Sequence, residues 1–291
     1  MNRLIVLIKP LLKTILSPAF FDVLHRAFDA VKAEMRYNST RVRRKKSFID
    51  IPLTGPKNKS NIFAPMNKVV FQDIGTRSYK EVWDYQENLL QQGVRLKQGG
   101  EQKPEHYLLF TEHNPVYTLG KNGKEEHVLI NEAERAEKGV EYFHINRGGD
   151  ITFHGPGQLV GYPIFDLDQF KPDLNWYLRS LEEVVILTLA QYGLQGERSK
   201  GETGVWLQPG VKGSERKICA MGIRCSRWIT MHGFAFNINT NLSFFDYIVP
   251  CGIQDKKVAS LETELGRSVE MNEVKEKMKK NFEKVFDISF G

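Results

Sequence analysis

The sequence predicts an α/β protein of the α+β type, in which mixed or antiparallel β-sheets are flanked by helices. Short apolar runs typical of strands alternate irregularly with longer runs at helical spacing, and no regular βαβ rhythm connects them. The chain has 291 residues, of which 41% are hydrophobic and 26% charged. This length and composition are sufficient for a sizeable buried core.

The first predicted elements are a strand at 69–71 and an amphipathic helix at 78–92. Val82, Tyr85 and Leu89 recur there at helical spacing, and Ser78 precedes them as a residue type that caps helices. Turn sequences rich in Asn, Gly and Pro follow. They separate predicted strands at 107–111, 116–119, 142–146, 151–153 and 159–165.

The rest of the chain predicts three further helices and a hairpin. Apolar residues at spacings of three and four favour helices at 175–192 and 271–285, and Gly139 ends a short helix at 131–138. Further strands are predicted at 204–207 and in a hairpin of 217–224 with 228–239, which turns at 225–227.

Residues 1–65 differ from the rest, so we expect an N-terminal extension followed by a catalytic domain at 66–291. The extension holds 13 Lys and Arg against 4 Asp and Glu, whereas the remaining residues are slightly acidic. Nucleic acid is therefore not an expected partner of the folded body. The extension is a disordered segment, a peripheral membrane helix or a stretch before a true start at Met66. Its apolar run at 4–8 is too short for a transmembrane helix, and no signal-peptide cleavage site follows.

The cysteine and histidine patterns predict neither disulfides nor a metal centre. Cys219, Cys225 and Cys251 are an odd number without Cys-x-x-Cys spacing, and the histidines lack metal-binding spacing. A reducing, cytoplasmic location fits this pattern. Cys219 and Cys225 lie in apolar strand contexts, where cysteine is usually buried.

Glycine pairs suggest either a ligand cradle or ordinary β-turns. Arg147-Gly148-Gly149 and Gly155-Pro156-Gly157 flank one short predicted strand, and both interpretations remain open on glycine content alone. His154, at the end of this strand, is able to bind a substrate carbonyl or a thiol, or it is a satisfied structural histidine. The same alternatives apply to His232.

Cys251 is the candidate nucleophile because Pro250 and Gly252 place it in an irregular turn. A free thiol with a pKa of about 8.5 is only a few per cent thiolate at pH 7, so catalysis requires a nearby cation or base. Lys217 is a candidate for this group; the alternative is a solvated lysine at a strand end.

Five blocks of sequence occur in a distinctive order. They are His113-Asn-Pro-Val-Tyr-Thr-Leu-Gly120, Arg147-Gly-Gly-Asp-Ile-Thr-Phe-His-Gly-Pro-Gly-Gln-Leu-Val-Gly-Tyr162, Lys217-Ile-Cys-Ala-Met-Gly-Ile-Arg224, Trp228-Ile-Thr-Met-His-Gly-Phe-Ala-Phe-Asn237 and Pro250-Cys-Gly252. Together they resemble the lipoyl(octanoyl) transferase family. The resemblance extends over about residues 68–286 and does not include residues 1–65.

The resemblance implies a fold shared with the biotin and lipoate protein ligases, which is class II synthetase-like. It also implies transfer of an octanoyl group to a lysine of a lipoyl domain, the first step of endogenous protein lipoylation. Cys251 would form the acyl thioester, and Lys217 would lower the pKa of its thiol. The implied substrate-binding residues are Arg147, Gly148, Gly149, Asp150, Ile151, Thr152, Phe153, His154, Ala220, Met221, Gly222, Gly233, Phe234 and Ala235.

The resemblance also implies the partners. The donor would be octanoyl-acyl carrier protein, and the acceptors would be lipoyl domains of 2-oxoacid dehydrogenase complexes and the glycine cleavage H protein. No cofactor, metal or integral membrane contact is expected. Carrier proteins are acidic, so Arg147, Arg224 and Arg227 are candidates for a basic docking patch.

Three alternatives remain open at this stage. An ATP-dependent lipoate or biotin protein ligase shares the fold but does not need Cys251. A lipoyl-domain amidotransferase would use a different octanoyl donor. A noncatalytic acyl-binding scaffold would keep the cradle without turnover. A fold alone does not decide among them.

Overall fold

A computed structural model describes residues 67–100, 102–249 and 257–291. The strands are β1 (Asn67–Arg77), β2 (His106–His113), β3 (Val116–Leu119), β4 (Glu141–His144), β5 (Ile151–His154), β6 (Gln158–Ile164), β7 (Val205–Leu207), β8 (Arg216–Ser226), β9 (Ile229–Asn237), β10 (Lys257–Val258) and β11 (Ile288–Phe290). The helices are α1 (Tyr79–Gly99), α2 (Glu132–Glu137), α3 (Leu174–Ala190), α4 (Leu261–Leu265) and α5 (Met271–Phe286). The predicted extension at 1–65 and the candidate nucleophile Cys251 lie outside the described residues.

The strands form two mixed sheets. The larger sheet has eight strands in the order β10-β8-β9-β6-β2-β1-β11, with β7 also paired to β8. In this sheet β1 runs parallel to β2 and β11, whereas β6 is antiparallel to β2 and β9. The smaller sheet has the order β4-β3-β5. The predicted α+β fold with mixed sheets is therefore confirmed.

Helices cover both faces of the larger sheet, so its central strands are buried. Every residue of β6 and β9 is buried. Successive side chains of a strand point to opposite faces. Accordingly, Leu108 and Phe110 of β2 pack with Phe282 of α5, whereas Leu109 packs with Leu90 of α1 on the other face.

Helix α1 begins where the sequence predicts and ends later. The Ser78 hydroxyl accepts the Glu81 N–H at 3.4 Å, as an N-cap residue does. The helix continues to Gly99 and is closed by Gly100, whose φ of 73° is left-handed. The prediction ended at about residue 92, but no proline interrupts the next turns, and Val94 packs against the core. Helices α2, α3 and α5 agree with their predicted positions within a few residues.

The largest differences from the prediction concern short elements and the hairpin turn. Strands β10 and β11 and helix α4 were not predicted, because two to five residues are too few to show a hydrophobic period. Strand β8 extends to Ser226, which pairs with Ile229. The turn consists of Arg227 and Trp228, with φ values of 48° and 65°. Such left-handed pairs match the twist of hairpin strands.

Two further observations limit the chemistry of the described residues. Across 67–100, 102–249 and 257–291, none of the helices combines the length and apolar character needed to cross a membrane. In these same ranges, no three or more His, Cys, Asp or Glu side chains are grouped so that they could hold a metal ion.

Candidate active site

A cavity of about 90 Å³ lies between the segment 147–154 and strands β8 and β9. The predicted substrate-binding residues in its wall are Arg147, Gly149, Asp150, Ile151, Thr152, His154, Ala220, Met221, Gly222, Gly233, Phe234 and Ala235. Lys217 also lines it. The fold thus brings together two regions that are well separated in sequence, the segment 147–154 and the β8–β9 hairpin.

Gly148 and Phe153, the other two predicted residues, lie behind the wall. The Gly148 N–H donates to the carbonyl of Ile223 at 2.9 Å and so attaches the segment 147–154 to β8. Phe153 is buried in the core of the smaller sheet, where its ring stacks on Phe244 with centroids 4.7 Å apart. These two residues therefore support the cavity from outside its lining.

The glycines of the site serve both turns and close approach. Gly149 and Gly157 have φ values of 88° and 78°, which favour glycine in tight turns. At Gly222, a Cβ atom would lie 2.6 Å from the Gly148 carbonyl oxygen, and at Gly161 it would lie 2.1 Å from the Phe234 ring. A larger residue at Gly222 would push the segment 147–154 away from β8, and one at Gly161 would displace the Phe234 ring.

Arg147 supplies a buried positive charge to the wall. Its side chain is only 7% exposed, and its guanidinium donates to the Thr118 carbonyl at 2.6 Å and the Thr118 hydroxyl at 3.0 Å. A third hydrogen bond, of 3.0 Å, reaches the Gly148 carbonyl. The cation is thus fixed in orientation and contributes a constant positive field to the cavity.

His154 is a satisfied structural histidine. The Gln158 amide nitrogen donates to Phe153 and Asn237 oxygens, so its amide oxygen is the atom that accepts from His154 Nδ1 at 2.8 Å. Nε2 is then the acceptor for the Thr118 hydroxyl at 3.3 Å. Burial lowers the pKa of His154 well below its usual value, and His113 and Arg147 add to this effect. Both ring nitrogens are thus engaged by protein groups, while the residue contributes to the cavity wall.

His232 differs from His154, because its Nε2 has no hydrogen-bond partner among the described residues. The residue lines the cavity, is 2% exposed and has a left-handed φ of 61°. Its backbone N–H donates to the side-chain oxygen of Gln86 at 3.0 Å. Burial, with smaller effects of Arg147 and Arg224, lowers its pKa to about 3. His232 is therefore a neutral polar group in the cavity wall.

Lys217 lies where strand β10 joins β8. Val258 pairs with Lys217, and the Ala259 N–H donates to the Lys217 carbonyl at 2.9 Å. The described chain therefore resumes, after the segment 250–256, directly beside this lysine. Lys217 therefore lines the cavity, in contrast to the alternative of a solvated lysine at a strand end.

His127 connects the cavity wall to the chain before the segment 250–256. Its Nδ1 lies 2.7 Å from the Asp150 carboxylate, and both side chains are largely buried. Its backbone carbonyl accepts the Val249 N–H at 2.8 Å. The second Asp150 oxygen accepts the Ile151 N–H at 2.7 Å, so this aspartate is held on two sides.

The two described cysteines are unsuited to nucleophilic attack. Cys219 is fully buried, and burial raises the pKa of its thiol far above the usual value. Cys225 is half-buried, and burial also raises its pKa. Since only the thiolate is strongly nucleophilic, neither residue is poised to form a thioester.

The sequence analysis missed several residues of the wall. They are Tyr79, Gln158, Val160, Tyr162, Thr203, Asn237, Phe245 and Val258, whereas His232 had been considered as a ligand-binding or structural histidine. Gln158, Val160 and Tyr162 lie in a quoted sequence block and follow a glycine turn, a signal that could have identified them. Tyr79 and Phe245 carry no local signal, since only the tertiary fold brings them to the cavity.

The sequence of this chain is similar to known proteins of one family. Residues 78–283 match the family described as lipoyl protein ligase A/B catalytic domain. Octanoyltransferase from Christiangramia forsetii is 55% identical over 228 residues, which are 76% of this chain and 97% of that protein. Octanoyltransferase from Flavobacterium johnsoniae is 54% identical over 226 residues, again 76% and 97%.

Solved structures of lipoate ligases share the fold. Lipoate-protein ligase A bound with ATP has a TM-score of 0.57 at 14% identity and covers 77% of this chain and 87% of its own. The bipartite lipoate protein ligase of Thermoplasma acidophilum has a TM-score of 0.57 at 16% identity, with coverages of 77% and 85%. At these identities the likeness concerns the fold alone, and the expected lipoate ligase-like fold is confirmed. By sequence, the chain belongs to the lipoyl protein ligase A/B catalytic domain family and is an acyltransferase of the octanoyltransferase kind.

Proposed function

We propose that this chain transfers an octanoyl group from octanoyl-acyl carrier protein, through a thioester on Cys251, to a lysine of a lipoyl domain. The cavity carries the proposal, because it joins the segment 147–154, Lys217 and strand β9 in one wall. Relatives named octanoyltransferase at 54–55% identity support the octanoyl group as cargo.

The first half-reaction forms the acyl-enzyme. The Cys251 thiolate attacks the thioester carbonyl of the donor, the new C–S bond forms, and the bond to the carrier's thiol breaks. The carrier leaves as a thiolate and takes up a proton. Because one thioester replaces another, the step is nearly isoenergetic and needs no ATP. Lys217, as an ammonium ion, would stabilise the Cys251 thiolate before attack.

The second half-reaction forms the amide. The acceptor's lysine amine attacks the acyl carbon, the C–N bond forms, and Cys251 leaves as a thiolate. The proton lost by the amine passes to Lys217, which acts here as a base because it gave its own proton to the carrier's thiolate in the first half-reaction. Conversion of a thioester to an amide is downhill, so this step also proceeds without ATP.

Backbone N–H groups of the glycine-rich segments would stabilise the oxyanion of both tetrahedral intermediates. Removing one such donor typically costs about 3 to 4 kcal/mol of transition-state stabilisation. Apolar side chains in the same wall, including Val160, Met221 and Phe234, provide a surface for the acyl chain. The cavity thus combines a polar reacting end with apolar lining.

The expected docking patch for the acidic carrier protein needs one correction. Arg147 is buried at 7% exposure, so it cannot contribute to a surface patch. Arg224 is partly buried and lies 2.5 Å from the Glu87 carboxylate. Arg227, at the exposed hairpin turn, is the candidate that remains.

The acceptors that we propose are lipoyl domains of 2-oxoacid dehydrogenase complexes and the glycine cleavage H protein. The location that we propose is the cytoplasm. The cysteine pattern, with no disulfide spacing, supports a reducing compartment. The solved T. acidophilum structure pairs a lipoate ligase with an E2 lipoyl domain. That pairing is the basis for a lipoyl-domain acceptor here.

Intact-protein mass spectrometry tests the proposal. The chain is mixed with octanoyl-loaded acyl carrier protein without ATP, beside a Cys251→Ala control. We expect one octanoyl increment on the wild-type chain alone, which apo-lipoyl domain then removes. Acylation of the lipoyl domain only with ATP and free octanoate would instead identify a ligase. Transfer from an octanoylated lipoyl domain but not from the carrier would identify an amidotransferase, and full transfer by Cys251→Ala would refute the nucleophile.

A further inference from the structure

Strand β8 contains a β-bulge next to Lys217, and the bulge changes which face of the sheet its side chains point to. Trp206 of β7 pairs with Lys217, but the preceding Val205 pairs with Cys219. Strand β8 therefore has one residue more than β7 at this point, and that residue is Ile218. An extra residue of this kind changes the direction in which the neighbouring side chains point. Such bulges are frequent next to active sites.

The bulge places Lys217 on the cavity side of the sheet. Ile218 and Cys219 are both fully buried in the main hydrophobic core, whereas Lys217, Ala220 and Gly222 line the cavity. In an uninterrupted strand, residue 217 would point to the same face as Cys219. The bulge thus allows Lys217 to share a face with Ala220 and Gly222.

The indole ring of Trp206 meets Lys217 on this face. Lys217 Nζ lies 4.5 Å from the ring centroid, a distance at which an ammonium ion is attracted by an aromatic face. Trp206 is only 1% exposed. Its backbone N–H and carbonyl form hydrogen bonds of 2.9 and 2.8 Å with Glu197. The ring is therefore attached to a backbone that is paired on both sides.

A buried carboxylate of helix α3 also fixes the backbone that leads into β7. The Gly204 N–H donates to the buried carboxylate of Glu182 at 3.0 Å, two residues before Trp206. Thr203, the preceding residue, lines the cavity. The position of the indole is thus set by β8, by Glu197 and by helix α3.

We propose that Trp206 is a positioning residue for the transfer reaction, whose indole face holds the Lys217 ammonium group in the cavity wall. This inference rests on the proposed function, because Trp206 acts only through Lys217. A lysine side chain has many rotamers, and a rigid aromatic surface that attracts its charged end reduces the number that are populated. The contact thereby restricts where the charged end of Lys217 lies in the cavity wall.

The test compares Trp206→Phe with Trp206→Leu in octanoyl transfer from carrier protein to apo-lipoyl domain. The phenylalanine keeps an aromatic face, so we expect kcat within about threefold of wild type. The leucine removes the face, and we expect kcat to fall about tenfold, the effect of losing one partly shielded cation–π contact. KM for the carrier protein should stay within about twofold. Trp206→Met replaces leucine if that variant does not fold.

A double-mutant cycle separates positioning from a structural role. In a Lys217→Met background, Trp206→Leu should cause no further loss of the residual transfer rate, because the group through which it acts is gone. An equal loss in both backgrounds would overturn the inference. So would a Trp206→Leu enzyme with wild-type kcat, or equal losses for Phe and Leu at equal thermal stability.

Trp176→Leu provides a matched control. Trp176 is partly buried and packs on Phe286 with ring centroids 5.8 Å apart, away from the cavity lining. We expect this variant to lose stability but to keep kcat. A wild-type chain that is inactive without ATP would refute the proposed function. An active wild-type chain whose kcat survives Trp206→Leu would refute this inference alone.

Discussion

The carboxylate of Glu182, fully buried in helix α3, accepts the Gly204 N–H that leads into strand β7. It also accepts hydrogen bonds from Arg179 at 2.8 Å and Arg198 at 3.0 Å. Gly204 has a φ of 105°, and a Cβ atom there would lie 2.5 Å from the Cys219 carbonyl oxygen. One carboxylate thus holds a glycine that has no room for a side chain.

Replacing Glu182 by alanine should destabilise the fold by about 2 to 3 kcal/mol, because a buried N–H donor loses its acceptor. Glu182→Gln keeps an oxygen for the Gly204 N–H, so the loss should be smaller. Urea denaturation of the two variants and wild type measures the difference. Equal free energies of unfolding for alanine and wild type would contradict the role of this carboxylate.

The free energy of unfolding should fall as the pH is lowered through the window from about 6.5 to 4. Burial lowers the pKa of His113 from 6.5 to about 4, although a hydrogen bond to the Arg77 carbonyl partly opposes the shift. Within this window the unfolded chain binds a proton that the folded chain excludes. The stability from neutral His113 is thus complete above pH 6.5 and is lost at about 1.4 kcal/mol per pH unit.

A His113→Gln variant tests this prediction, because an amide can replace the contacts to the Arg77 carbonyl and the Tyr162 hydroxyl. Urea titrations at several pH values between 7 and 4 give the free energy of unfolding as a function of pH. The slope of this plot should be smaller in the variant than in wild type by the equivalent of about one bound proton. An unchanged slope would show that His113 does not contribute to the pH dependence.

Gly222→Ala should impair both stability and transfer. The added Cβ would meet the Gly148 carbonyl oxygen at 2.6 Å and the Arg147 side chain at 3.1 Å, so the wall must shift. Overpacking of this kind costs about 1 to 3 kcal/mol. Gly99→Ala is the matched control, because nothing lies within 4 Å of a Cβ there. Thermal melts and transfer rates of both variants provide the measurement; equal behaviour would contradict the prediction.

Lys217→Ala should reduce the transfer rate by about 10²- to 10³-fold, a typical effect of removing a group that transfers protons. Lys217→Arg keeps the positive charge but cannot act as a base near neutral pH, so its rate should lie between alanine and wild type. Steady-state kinetics with carrier-bound octanoate distinguishes these cases. Full activity of Lys217→Arg would exclude the role as a base.

The sequence predicted the regular elements well, because their hydrophobic periods extend over enough residues to be visible. Helix α5 is an example: Val274, Met278 and Phe282 repeat at spacings of four and are all fully buried. The β10 and β11 strands were missed, since strands of two or three residues depend on pairing partners elsewhere in the chain.

The site was predicted only partly, for a related reason. The blocks that carry the family resemblance identified most of the cavity wall, including Lys217 and the segment 147–154. The bulge at Ile218 could not be predicted, because it arises from a mismatch in pairing between β7 and β8. The sequence therefore indicated only that Trp206 lies in a strand, although the position of its side chain depends on that mismatch.

The pairing of β1 with β11 affects how the larger sheet forms during synthesis. Asn67 pairs with Ile288, so roughly 220 residues must be made after Asn67 before its partner exists. At about 5 to 20 residues per second, the ribosome needs roughly 10 to 45 seconds for that stretch. Until then this edge of β1 carries open N–H and C=O groups that can pair wrongly with other nascent chains. Strand β11 therefore closes this edge of the larger sheet late, after the other strands of that sheet have been made.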